Sequence, residues 1–208
     1  MRIRNEEELA RWLAANRRQP TPVALPKRDS QTEGQQEAMG AARILGLDVA
    51  LRCTGWGIID MHGNSLKAVD CGVIRNGPKE TVSTCLKRLS LGVRELVGLY
   101  HPTISSLEGG FYVCNARTAL VLGMARGAVI AVLGEEGVPV YEYAPRKVKQ
   151  AVSGFGDASK QQVALCVAQF LHVQVGQLEL DSTDALAMAL THAQRMVVAN
   201  GLGVGKGI

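Results

Sequence analysis

From Arg43 onwards, the hydrophobic positions group into short apolar runs and amphipathic stretches, a pattern typical of an α/β fold. Three apolar runs come first and are joined by short turns such as His62-Gly63-Asn64, which predicts an antiparallel meander. Two more short runs follow later in the chain. The predicted strands are 43–49, 53–60, 66–75, 103–108 and 138–143.

Helical periodicity predicts five helices after the meander. The first is closed by His101-Pro102, and the third carries Pro145 in its first turn. The predicted helices are 80–100, 115–137, 145–152, 159–173 and 181–201. Three strands, a helix and then alternating strands and helices predict one mixed five-stranded sheet with helices on both faces. In such sheets, ligands gather near the ends of the central strands.

The first 42 residues differ from the rest of the chain. Residues 5–13 combine a capping signal with apolar positions at helical spacing, and a stretch rich in proline and glutamine follows. This pattern predicts a short helix on a flexible arm, and a docking peptide is the alternative. The predicted organisation is this arm, one domain over 43–200, and a disordered tail over 201–208.

Composition argues against a membrane span, a secretory signal and a zinc site. Of the 208 residues, 47% are hydrophobic and 20% are charged, an ordinary soluble globular profile. No apolar run approaches the roughly 18–20 residues of a membrane span, and the N-terminus lacks the apolar region of a secretory signal. The five scattered cysteines contain no C-x-x-C pair, which argues against zinc and predicts buried thiols in a reducing, cytoplasmic compartment. A net charge of +4 permits a polyanionic partner.

Acidic residues occupy positions where a solvated charge is not expected. Asp48 ends the first apolar strand, Glu108 ends TISSLE, and Asp181 and Asp184 lie three apart at the start of the last helix, on one face. Asp181 alone is equally well explained as a helix cap. Because unpaired carboxylates beside apolar residues are costly, the four together predict a cluster neutralised by divalent cations. Oxygen ligands without His or Cys suit Mg²⁺ or Mn²⁺, and two such ions support phosphoryl transfer.

Four ordered motifs resemble the RuvC family of bacterial Holliday-junction resolvases. They are ILGLD…TGWGIID, SSLE, VKQAVSGFGDASKQQV and DSTDALAMALTH, and they extend from about Ile44 to His192. The resemblance implies an RNase H-like nuclease domain and a homodimer with two active sites, each using two Mg²⁺ or Mn²⁺ ions. The implied reaction is symmetric nicking of two opposed strands of a four-way DNA junction in recombination and repair. A branch-migration complex is a further implied partner, and a membrane is not.

Carried across by motif, the acidic tetrad of the family falls on Asp48, Glu108, Asp181 and Asp184.

The resemblance also implies DNA-binding residues. The aromatic residue that engages junction bases matches Phe111, and two basic residues near the active site match Lys149 and Lys160. With Arg146 and Lys147 they form the densest positive run in the chain. Such a run is often a solvated face, but its proximity to an acidic metal site favours contacts with DNA phosphates. Phe111 lies in a predicted loop, where it either packs or stacks on unpaired bases.

Two departures from the family keep alternatives open. Val49-Ala50 stands where the family has Pro-Gly, and Gly109 stands where it has glutamine. One alternative is an RNase H-like nuclease of the YqgF type acting on RNA, against which the long VKQAVSGFGDASKQQV segment argues. Another is a catalytically weak junction-binding protein, against which the intact tetrad argues. An actin-like ATPase shares the sheet order but needs far more chain. No long apolar patch marks a dimer surface, so dimerisation rests on the resemblance.

Overall fold

The computed structural model describes residues 41–109, 115–173 and 179–201. The predicted N-terminal helix, Phe111 and residues 202–208 lie outside the described residues. Five strands form one sheet in the order β3-β2-β1-β4-β5. β1 is antiparallel to β2 and parallel to β4, β2 is antiparallel to β3, and β4 is parallel to β5. The strands are β1 Ala41–Asp48, β2 Cys53–His62, β3 Ser65–Arg75, β4 Ile104–Glu108 and β5 Val140–Tyr143.

Five helices complete the described fold, as the sequence predicts. Thr81 caps the first helix by accepting a hydrogen bond from the Thr84 amide, and Ser159 forms a capping box with Gln162 at the fourth. The predicted second helix is two residues too long at its C-terminal end, because the chain turns at Gly137 with a φ of 69°. The helices are α1 Val82–Tyr100, α2 Ala116–Glu135, α3 Pro145–Ser153, α4 Lys160–Leu171 and α5 Leu180–Gly201.

Apolar side chains form a core on each face of the sheet. One core joins the sheet to α1 and α2, and the other joins it to α3, α4 and α5. Side chains alternate along β1, so Leu45 and Leu47 enter the first core and Ile44 enters the second. Asp48 therefore projects on the same face as Ile44, towards α5. The prediction of an RNase H-like mixed sheet with helices on both faces is confirmed.

Helix α2 corrects one prediction from composition. Among the described residues, Ala116–Glu135 is the one helix long and apolar enough to cross a membrane. The statement that no run approaches that length is therefore wrong for α2. A core helix can be equally long and apolar. Helix α2 packs Val129 and Leu133 into the core that it shares with α1. On the other side of α2, the Leu120 side chain is 65% exposed.

The cysteines correct another prediction. Of the four that the structure describes, Cys85 is buried, whereas Cys53, Cys71 and Cys166 are each partly exposed. All four are free thiols. Cys71 lies on β3, which is at the edge of the sheet among the described strands, and Cys53 begins β2 beside the acidic residues. Burial of every thiol was therefore a wrong prediction.

Candidate active site

The sheet register brings Asp48 and Glu108 together. Leu47 of β1 is paired with Leu107 of the parallel strand β4, so the next residue on each strand is a carboxylate. Leu47 and Leu107 both enter the core on the α1 side, which places both carboxylates on the opposite face. Neighbouring strands lie about 4.8 Å apart. Two acids thus stand side by side at one end of the two central strands.

Two glycines bring α5 against the same end of the sheet. A Cβ atom built on Gly46 would lie 2.0 Å from the carbonyl oxygen of Ala185, and one built on Gly55 would lie 1.9 Å from that of Asp181. Only residues without a Cβ allow the backbone of α5 to approach β1 and β2 this closely. The N-terminal end of α5, with Asp181 and Asp184, is therefore held beside Asp48.

A cavity of about 130 Å³ lies where these elements meet. Three of the four predicted carboxylates, those of Asp48, Glu108 and Asp184, line it together with Lys149 and Lys160. The Lys160 Nζ atom lies 2.8 Å from Asp184 Oδ2. Asp181 does not line this cavity, because its Oδ2 atom accepts a hydrogen bond from the Cys53 thiol at 2.8 Å.

The carboxylates repel one another electrostatically. Burial, followed by the charges of Asp184 and Glu108, raises the pKa of Asp48 to about 7, against an opposing contribution from Lys160. Burial and the charge of Asp184 likewise raise the pKa of Glu108. The hydrogen bond to Asp184 raises the pKa of Lys160. The protein therefore holds more negative charge here than its own cations offset.

The donor set fits a divalent metal. Four carboxylates supply hard oxygen ligands, and a bound cation would relieve the repulsion that raises the pKa of Asp48. Within the described ranges, no three His, Cys, Asp or Glu side chains already stand in position around a common ion. Asp184 is paired with Lys160, and Asp181 is hydrogen-bonded to Cys53. Holding an ion therefore requires these two side chains to turn away from their present partners.

The four predicted basic residues fall on different sides of α3. Lys149 and Lys160 line the carboxylate cavity. Lys147 lines a separate cleft that α3 shares with α5. Arg146 packs against the loop after α3, because a Cβ atom on Gly156 would lie 2.8 Å from the Arg146 Cγ atom. The positive run is therefore not a single patch in three dimensions.

Two residues around the site escaped the sequence-based reasoning. Arg126 on α2 donates a hydrogen bond to the backbone carbonyl of Glu108, and its NH2 atom lies 2.5 Å from Glu142 Oε1. It thus ties Glu108 to β5 and places a positive charge nearby. The available signal was a lone arginine in an apolar helical segment. Cys53 donates a hydrogen bond to Asp181. Its sequence context gave no sign of this role, because a free cysteine is usually a core residue.

The sheet order and the carboxylates at its central strand ends define the RNase H-like class of metal-dependent nucleases. The family described as "Crossover junction endodeoxyribonuclease RuvC" matches residues 44–192. Two relatives with that description come from Ralstonia pickettii, 42% identical over 73% of this chain and 83% of the relative, and from Acinetobacter baylyi, 40% identical over 77% and 91%. The chain belongs to the RuvC family of crossover junction endodeoxyribonucleases.

Solved structures agree with this assignment. The structure of Thermus thermophilus RuvC in complex with a Holliday junction substrate superposes with a TM-score of 0.72 at 31% identity, covering 76% of this chain and 96% of that one. The yeast mitochondrial Holliday junction resolvase superposes with a TM-score of 0.57 at 14% identity, covering 78% and 81%. At that identity, the second likeness supports the fold alone.

Proposed function

We propose that this protein is a divalent-metal-dependent endonuclease that nicks two opposed strands of four-way DNA junctions in recombination and repair. The observation that carries the proposal is the register of β1 and β4, which sets Asp48 beside Glu108 in a cavity that also contains Asp184 and Lys149. Family membership supplies the substrate class, since the relatives are described as crossover junction endodeoxyribonucleases.

In this proposal, Asp48, Glu108, Asp181 and Asp184 hold two Mg²⁺ or Mn²⁺ ions. Such ions activate a water nucleophile and stabilise the leaving oxygen of the phosphodiester. The chain itself orients the carboxylates through the β1–β4 register and the close approach of α5 at Gly55. Lys160, now paired with Asp184, would be released to contact a phosphate oxygen if Asp184 held an ion instead.

The first test compares a mobile four-way junction with a matched duplex and an RNA hairpin, with every product mapped. We expect paired nicks in the junction with Mg²⁺ or Mn²⁺ and none in excess chelator. Cleavage confined to the RNA hairpin would replace the proposal with an RNA nuclease of the same fold. Junction binding without any nick would indicate a catalytically weak binding protein.

Lys149 is expected to contact a DNA phosphate, because it lines the carboxylate cavity and is partly exposed. We expect Lys149→Ala to weaken junction binding and to lower the slope of log K against log salt by about one. Fluorescence anisotropy over a salt series measures both quantities. A slope equal to that of the parent protein would remove Lys149 from the interface.

The dimer that two symmetric nicks require is proposed to form through α2. A stripe of apolar and small residues stays exposed along this helix, consisting of Leu120, Gly123, Met124, Gly127 and Ala131. A Cβ atom added at Gly123 or Gly127 would meet nothing within 4 Å. Small residues at such spacing let a second helix approach closely. Sequence alone did not reveal this surface, because the same residues are typical of a buried helix.

We expect Leu120→Glu to shift the protein from dimer to monomer in sedimentation analysis, since it places a charge in an apolar interface. Nicking of the two opposed strands should then lose its coupling, so that singly nicked junctions accumulate. Leu165→Glu is the matched control, because Leu165 is similarly exposed, at 60%, on α4. Equal sedimentation of the two variants would place the dimer surface elsewhere.

We further propose that the protein acts in the cytoplasm alongside a branch-migration complex. The free thiols of the four described cysteines suit a reducing compartment. Co-purification from cells with cross-linking is the direct test of the partner.

A further inference from the structure

A second cleft lies beyond α3 from the carboxylate cavity. It encloses about 500 Å³ between the end of β5, α3 and the C-terminal half of α5. Two exposed cations line it, Lys147 from α3 and Arg195 from α5. Neither forms an ion pair with any residue that the structure describes. The acid at its edge, Glu142, is already paired with Arg126.

Tyr143 fixes one wall of the cleft through a buried hydrogen bond and contacts Arg195 through its ring. The Tyr143 hydroxyl and His192 Nδ1 lie 2.7 Å apart, and the Arg195 guanidinium lies 6.0 Å from the centre of the Tyr143 ring. Thr191 and Gln194 add polar side chains to the lining. Two cations beside hydrogen-bonding groups on a fixed wall form a surface that favours an extended anion.

Helix α3 is a ridge between the two clefts. Lys147 and Ala151 line the second cleft, whereas Val148 and Lys149 line the carboxylate cavity, as expected for opposite flanks of a helix. A helix with its side chains is about 10–12 Å wide, similar to the roughly 12 Å major groove of B-DNA. The two clefts also adjoin at the C-terminal ends of β4 and β5, where the Gly109 amide donates a hydrogen bond to the Tyr143 carbonyl at 2.8 Å.

We propose that the second cleft binds the phosphate backbone of the same DNA molecule whose scissile strand enters the carboxylate cavity. Lys147 and Arg195 contact phosphates on the far flank of α3 while Lys149 contacts one on the near flank. The inference rests on the proposed function, since it takes DNA as the molecule in the first cavity. It adds Arg195 to the interface and assigns Lys147 to a surface separate from the catalytic one.

The test measures junction affinity over a salt series in excess chelator for Lys147→Ala, Arg195→Ala and the double variant. We expect each single change to weaken binding several-fold, and the double variant to lower the slope of log K against log salt by about two. Lys67→Ala is the matched control, because Lys67 is exposed and pairs in register with Asp60 at the sheet end opposite Asp48. Its slope should equal that of the parent.

A double variant with the affinity and slope of the parent would overturn the second cleft as a DNA site, as expected if it took an acidic peptide instead. Lys147→Glu provides an independent reading, because charge reversal should weaken binding more than Lys147→Ala does. Equal affinities of these two variants would also overturn the proposal. The parent protein must nick the junction in parallel assays. Failure of that reaction refutes the proposed function, whereas failure of the salt series alone refutes only the second cleft.

Discussion

Asp48→Asn is expected to abolish junction cleavage, by at least about 10²–10³-fold, while junction binding survives. Asparagine keeps the size and most of the hydrogen-bonding capacity of the side chain but removes the charge that a metal ion requires. Asp48 lies at the centre of the cluster, since Asp184, Glu108 and Asp181 all raise its pKa. The measurement is a single-turnover cleavage rate beside an affinity measured without divalent metal.

The same variant should be more heat-stable than the parent in metal-free buffer at pH 8. Because the folded-state pKa of Asp48 is raised to about 7 from 3.8, ionisation favours the unfolded state. Stability is therefore lost as the pH rises from about 4 through 7, and the neutral asparagine removes that loss. Reduced cleavage with an unchanged or raised Tm separates the loss of a ligand from misfolding.

Glu136→Gln serves as the control for Asp48→Asn, because Glu136 pairs with Arg94 on the surface at the end of α2. It should leave the cleavage rate unchanged. Persistent cleavage by the Asp48→Asn protein, or by the parent protein in excess chelator, would contradict the assignment of the metal site.

Local patterns predicted the elements of this fold because their signals lie within short segments. The apolar runs, the turn at Gly63 and the proline at Pro145 each mark a boundary without reference to the rest of the chain. The acidic residues were also visible locally, since Asp48 and Glu108 interrupt apolar strands at their ends. Their convergence follows from the parallel pairing of β1 with β4, two strands that β2, β3 and α1 separate in sequence.

Features that depend on side-chain direction could not be predicted in this way. Lys147 and Lys149 are two residues apart in sequence, yet α3 sends them into different clefts. Arg126 contacts Glu108 from α2, the helix that follows β4, and the sequence around either residue does not indicate this contact. The exposed stripe on α2 has the composition of a core helix, so composition alone does not distinguish it from a buried face. Each depends on how a helix packs against its neighbouring elements, which the sequence pattern leaves open.

Gly55→Ala is expected to destabilise the protein by about 3 kcal/mol, or roughly 6–12 °C in Tm for a chain of this size. The added Cβ would lie 1.9 Å from the Asp181 carbonyl oxygen and 2.4 Å from its carbonyl carbon, both backbone atoms that no side-chain rotation can clear. The first turn of α5 must therefore move away from β2. Asp181 moves with it, so the cleavage rate of the folded fraction should fall as well.

Gly98→Ala is the matched control for this steric argument. Gly98 lies inside α1, and an added Cβ would meet nothing within 4 Å. Alanine there should stabilise the helix by about 0.5–1 kcal/mol, because it restricts the unfolded chain more than glycine does. Thermal denaturation of both variants decides the matter. A Gly55→Ala protein that melts at or above the Tm of the parent, as Gly98→Ala should, would show that α5 does not approach β2 closely at Gly55. Close approach at Gly55 could then not be what places Asp181 beside Asp48.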